Sequence, residues 1–213
     1  MASRLLHLAV AECVFPALEN TDCRRFRLGM ILPDAADRSG KVATHLKLKA
    51  KGMKTYDLEL FREKFASELT GDGLYLGYYL HLVSDLVFRR ILYSEHRWIP
   101  DSSEKVARLY GDYRMINGYV ISRYGIKNDV SVPADFAEER INELYPFRNT
   151  VCDFIRETAG DFDAVSAGEY YFFTPDIADD FVRRAAALCV KEYEALLCGR
   201  TVLTQSDYNF SEP

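Results

Sequence analysis

The chain has 213 residues, 48% of them apolar and 28% charged, with a formal net charge of −5. That is long enough to bury a hydrophobic core and too apolar for a disordered or fibrous protein. The acidic balance counts against a dedicated duplex nucleic-acid binder, which needs a clustered basic excess.

The N-terminal stretch imitates a signal peptide, but its apolar run is short and His7 interrupts it. An amphipathic helix from about Ser3 to near Pro16 is the better expectation. Residues 20–55 read as irregular. Asp57 then serves as N-cap to a helix through LELFREKFASEL that stops at Gly71. Asp72 caps the next helix, GLYLGYYLHLVSDLVFRRILY, which is apolar on nearly every face and therefore belongs at the centre of the fold. Further helices are predicted near 103–124, 134–145 and 147–158. A last one starts at Pro175–Asp176 and ends at Gly199. No repeat or composition break divides the chain, so residues 1–213 are expected to form a single all-α domain, a multi-helix bundle around the buried central helix. Five cysteines at irregular spacing predict reduced thiols and a cytoplasmic protein, and no apolar run is long enough for a membrane span.

His81 and Asp85 stand at i and i+4 on the central helix, so they project from one face. In apolar surroundings they must be paired, hydrogen-bonded or metal-bound. A structural His–Asp pair and a metal site both satisfy that demand. His7 on an apolar helix face, Asp34 after Pro33 and His45 in THLK complete an inventory of imidazoles and carboxylates. Such donors suit zinc, manganese or iron rather than a cysteine-rich structural zinc site.

The order His7, Pro33-Asp34, Thr44-His45 and Leu80-His81-x-x-x-Asp85, after a Gly- and Tyr-rich run, resembles the zinc-dependent phospholipase C family over about the first ninety residues. The resemblance implies an orthogonal bundle of phospholipase C type. It implies a metal held by Asp34, His45, His81 and Asp85, with His7 and a bridging Asp85 on a neighbouring metal. It also makes Asp34 the general base or orienting group for water. Where the family carries a histidine for a third metal, near Ile91, this chain is aliphatic, and no histidine follows His96. One or two ions are therefore expected.

Other residues carry weaker signals. His96 reads as a loop residue. Asp112 and Asn117 read as a solvated face and a cap, or as oxygen donors behind the site. Lys41, Lys47, Lys49, Lys51 and Lys54 form a solvated loop or a patch that steers phosphate. Tyr75, Tyr78 and Tyr79 are expected mostly in the core, and residues 169–176 serve as packing or as an aromatic clamp. The function that follows is metal-dependent hydrolysis of a phosphoester, acting on a small phosphorylated molecule or a phospholipid headgroup. The alternatives are a nucleotide-directed metallophosphohydrolase and a non-catalytic metal- or ligand-binding descendant of the fold.

Overall fold

A computed structural model of the chain describes residues 2–37, 39–50, 53–163, 166 and 168–203; the side chains of 49, 50, 53 and 54 lie outside the description. Among the described residues the fold is all-α apart from one small hairpin, and one apolar cluster runs through it. Among the described residues, no helix is long and apolar enough to cross a membrane.

Helix α1 spans Arg4–Val14, and its Ser3 cap accepts from the Leu6 amide. Helix α2 spans Cys23–Gly29, with Asp22 accepting from the amides of Arg24 and Arg25. A 3-10 turn at Leu32–Ala35 and the short α3, Lys41–Thr44, lead to strands β1 (Lys47–Ala50) and β2 (Met53–Tyr56). The strands pair antiparallel, with Lys47 opposite Tyr56. Helix α4 (Leu58–Lys64) precedes the central α5 (Gly73–Arg89), which continues as a π-turn through Arg90–Glu95. Helices α6 (Ser103–Tyr124), α7 (Val151–Asp163) and α8 (Pro175–Leu197) complete the bundle.

All seventeen residues of α5 are buried, as an apolar sequence on every face requires. Its main neighbours are α2 and α8. Two glycines let α2 and α5 touch backbone to backbone. A Cβ on Gly77 would lie 2.2 Å from the Phe26 carbonyl oxygen, and one on Gly29 would lie 2.2 Å from that of Leu74. This close crossing delivers the turn after α2, with Met30 and Asp34, to the flank of α5.

Four expectations need correction. Residues 20–55 are not irregular: they hold α2, α3 and the hairpin. Seven-residue and four-residue elements are too short for a period to be counted, although LKLKA does alternate. The predicted helix at 134–145 is instead two 3-10 turns, Phe136–Glu138 and Arg140–Glu143. Asn142 donates its side-chain amide to the Phe136 and Glu139 carbonyls, a competition with helical bonding that polar side chains offer locally. Helix α4 ends at Lys64, and the chain reaches Gly71 through turns. The helix expected over 147–158 runs from Val151 to Asp163, after a 3-10 turn at Phe147–Asn149.

Candidate metal centre

Four separate elements bring His7, Asp34, His45, His81 and Asp85 together. His7 comes from α1, Asp34 from the turn that Pro33 opens, His45 from the end of α3, and His81 and Asp85 from α5. His7, His45, His81 and Asp85 are wholly buried, and the Asp34 side chain is 7% exposed. His7 Nε2 lies 3.5 Å from Asp85 Oδ1. His45 Nε2 lies 3.7 Å from Asp34 Oδ1 and 3.8 Å from Asp85 Oδ2. The His45 and His81 Nε2 atoms are 3.4 Å apart, and the His7 and His81 rings stack with centroids 3.9 Å apart.

Hydrogen bonding at the far side of each ring fixes two tautomers. His81 Nδ1 is 2.8 Å from the Met30 carbonyl oxygen, which can only accept, so Nδ1 carries the proton. Ser84 Oγ donates to the His81 carbonyl, which leaves it to accept from His7 Nδ1 at 2.9 Å. In the neutral rings, both Nε2 atoms therefore present lone pairs to the cluster. His7 Nε2 is buried and has no hydrogen-bond partner among the described residues. A lone pair facing a carboxylate oxygen at 3.5 Å is repulsive unless a cation lies between them or the ring takes up a proton. Anchoring of Nδ1 on a carbonyl or hydroxyl is also the arrangement that orients metal-ligating histidines.

The electrostatics run the same way. Burial pushes the His81 imidazole down to about 3, helped by His7 beside it and opposed by the nearby carboxylates. Burial likewise brings His45 down to about 4, against the pull of Asp34 and Asp85. Burial alone would raise Asp34, but Lys41 and the surrounding imidazoles hold it at about 2. Asp85 also stays well below the usual carboxylate range: burial is outweighed by its contacts, the His7 imidazole first among them. At neutral pH, two ionised carboxylates thus face neutral His45 and His81, with the Lys41 ammonium 3.0 Å from Asp34. Ionised carboxylates converging with neutral imidazole nitrogens in a buried site form a donor set that a cation satisfies.

Two overlapping triads have donor atoms within 4.8 Å of one another: His7, Asp34 and His81, and His45, His81 and Asp85. His81 belongs to both, yet with Nδ1 committed to Met30 it offers one nitrogen. It can ligate in only one triad at a time. The grouping differs from the ligand sets that the resemblance implies, because His7 gathers with Asp34 and His81 as well as facing Asp85.

Several supporting residues are ones that the sequence did not single out. Tyr56 donates to Asp85 Oδ2 at 3.0 Å from the end of β2, and the Ala2 amide donates to Oδ1 at 3.3 Å. Ser84 and the Met30 carbonyl set the tautomers. The Leu–Lys alternation before Tyr56 was the available clue to the hairpin that carries it.

The weaker candidates lie outside the two metal triads. His96 is exposed and packs edge-on to Phe172. Asp112 accepts from the amides of Tyr171, Phe172 and Phe173, each at 2.8 Å, so it fastens the 169–173 segment and is neither solvated nor a donor to the metal triads. Asn117 donates to the Asp161 carbonyl, and Ile91 is buried among apolar residues. Tyr75, Tyr78 and Tyr79 are core residues. Of the lysines, Lys41 touches the cluster; Lys51 and the side chains of Lys49 and Lys54 lie outside the described residues. No family model, curated protein or solved structure matches the chain.

Proposed function

We propose that the protein is a metal-dependent phosphoester hydrolase with a fold of phospholipase C type, holding one or two zinc ions, or manganese or iron, on His7, Asp34, His45, His81 and Asp85. The observation that carries this reading is the convergence of the His7, His45 and His81 Nε2 atoms with two ionised carboxylates inside one buried cluster. These donors suit a borderline cation, and neutral His45 and His81 with ionised Asp34 and Asp85 are in the protonation states that ligation requires. When bound, such a cation supplies Lewis acidity that favours ionisation of water and neutralises phosphoryl charge.

The chain's own groups do the rest. A cavity of about 390 Å³ opens beside the cluster and is lined by Asp34 and Lys41. Asp34 is the one carboxylate of the cluster that lines it. With its acidity near 2, it orients an attacking water by accepting its proton in a hydrogen bond and is a weak proton sink. Lys41 reaches the same space and places a positive charge where phosphoryl oxygens would lie. A second cavity, of about 740 Å³, is also lined by Lys41 and Tyr110, so these two residues border two cavities. Two cavities that meet at Lys41 suit a phosphodiester, which carries two organic substituents. The substrate is a small phosphorylated molecule or a lipid headgroup. Five free thiols fit a reducing, cytoplasmic setting.

The test is elemental analysis of protein purified without chelator, followed by hydrolysis of bis(p-nitrophenyl) phosphate. Bound zinc, together with turnover that chelator abolishes and zinc restores, supports the reading. Bound zinc without turnover leaves a metal-binding descendant, and protein that takes up neither zinc nor manganese removes the metal centre altogether.

A further inference from the structure

The cavity beside Asp34 is lined by three cations and by three carboxylates, Asp34, Glu157 and Asp161, and two of the cations are paired with those carboxylates. Lys41 Nζ sits 3.0 Å from Asp34 Oδ1. Arg4 Nε lies 2.7 Å from Asp161 Oδ2, and its Nη1 lies 3.4 Å from Glu157. The third is Arg114, which lines the same cavity, is exposed, and forms no ion pair among the described residues. It stands on α6 one turn beyond Tyr110, next to Tyr113 and three residues before Asn117, and all three also line the cavity. Spacings of three and four residues place them along one helix face. The volume of about 390 Å³ lies at the small end of ligand pockets. A phosphoryl group held at the metal centre beside Lys41 would leave room for a short substituent that reaches towards Arg114.

We propose that Arg114 forms a second anion subsite, so that the molecule bound here carries two acidic groups: the phosphoester at the metal centre and a carboxylate or second phosphate at Arg114. This rests on the reading of the His/Asp cluster as the phosphoryl-binding centre. A guanidinium suits that second group because its fork of donors matches both carboxylate and phosphate oxygens. The subsite also selects against a substituent that ends in a cationic ammonium group, which would meet Arg114 with like charge.

The test is calorimetric titration of three probes into zinc-loaded protein: methyl phosphate, 2-phosphoglycolate and ethylene glycol bisphosphate. The second anionic group should tighten binding at least tenfold in the wild type. That gain should disappear in Arg114→Ala and be partly retained in Arg114→Lys. The larger gain, with phosphoglycolate or with the bisphosphate, identifies the second group as carboxylate or phosphate. Equal binding of all three probes by the wild type, or a gain that survives in Arg114→Ala, overturns the subsite. Zinc content measured on the same samples judges the metal centre separately. Protein that takes up no zinc loses the phosphoryl-binding centre, and with it the two-anion ligand proposed here.

Discussion

Tyr56 donates its hydroxyl proton to Asp85 Oδ2 across 3.0 Å, and both side chains are buried. The contact ties the end of the hairpin to the centre of α5. Tyr56→Phe removes a donor from a buried carboxylate while keeping the ring. It should destabilise the protein by about 1–3 kcal/mol in denaturant unfolding. Zinc affinity should fall by about 10-fold or more, as for other groups that orient a ligand. A variant with unchanged zinc affinity would show that Asp85 is held adequately without it.

Acid should destabilise the metal-free protein across a defined window. His45 and His81 titrate near 4 and 3 in the fold, against an ordinary histidine value of 6.5. Below about pH 6.5 the unfolded chain takes up protons that these rings refuse. Their stabilising contribution is therefore full above that pH and is lost as pH falls towards 4 and then 3. Each ring steepens the loss by up to about 1.4 kcal/mol per pH unit. Asp34 adds a further loss in the same direction between its ordinary 3.8 and about 2. Urea unfolding from pH 8 to pH 4 measures the slope, and His81→Gln should flatten it. A wild-type profile that is level from pH 6.5 to pH 4 would contradict neutral, buried rings.

Gly77 joins the fold to the site. A Cβ there would meet the Phe26 carbonyl oxygen at 2.2 Å and the Met30 amide at 3.0 Å, both backbone atoms. Gly77→Ala must push α2 away from α5, which should cost about 1–3 kcal/mol or more. It should also move the Met30 carbonyl that fixes His81, so zinc binding should weaken alongside stability. Equilibrium unfolding and zinc titration of the one variant check both effects.

Much of this arrangement could be read from the residues alone. Asp72 and the apolar run after it marked α5, and the i, i+4 spacing of His81 and Asp85 put both on one face. What local pattern could not supply was contact between distant segments. Nothing in CRRFRLG announces that Gly29 and Gly77 meet, and it is that crossing which carries Asp34 and Met30 to the cluster. The alternation in LKLKA was visible but too short to outweigh the helical background. Asp112 misled for a similar reason: its partners are backbone amides some sixty residues away, which no spacing rule reaches.

Asp112 provides a contrast to the metal ligands. It is buried and accepts three backbone hydrogen bonds, yet it belongs to neither metal triad. Asp112→Ala should cost on the order of 3 kcal/mol by leaving those amides unsatisfied. The zinc-induced gain in stability should match that of the wild type. A lost zinc response would place the 169–173 segment in the metal centre after all.

If Asp85 helps bind a cation, Asp85→Asn should abolish that binding without removing a side chain. The amide keeps the shape of the side chain and can still accept from Tyr56, but it removes the charge that balances a metal. The measurement is thermal unfolding of wild type and Asp85→Asn, each with and without zinc. At zinc about 100-fold above its dissociation constant, the wild type should gain about 2.7 kcal/mol, or roughly 5–10 °C in Tm. In Asp85→Asn that gain should be absent or greatly reduced, with the metal-free protein still folded. Equal zinc-induced shifts in the two proteins would show that Asp85 holds no cation and leave His81 and Asp85 as a structural pair.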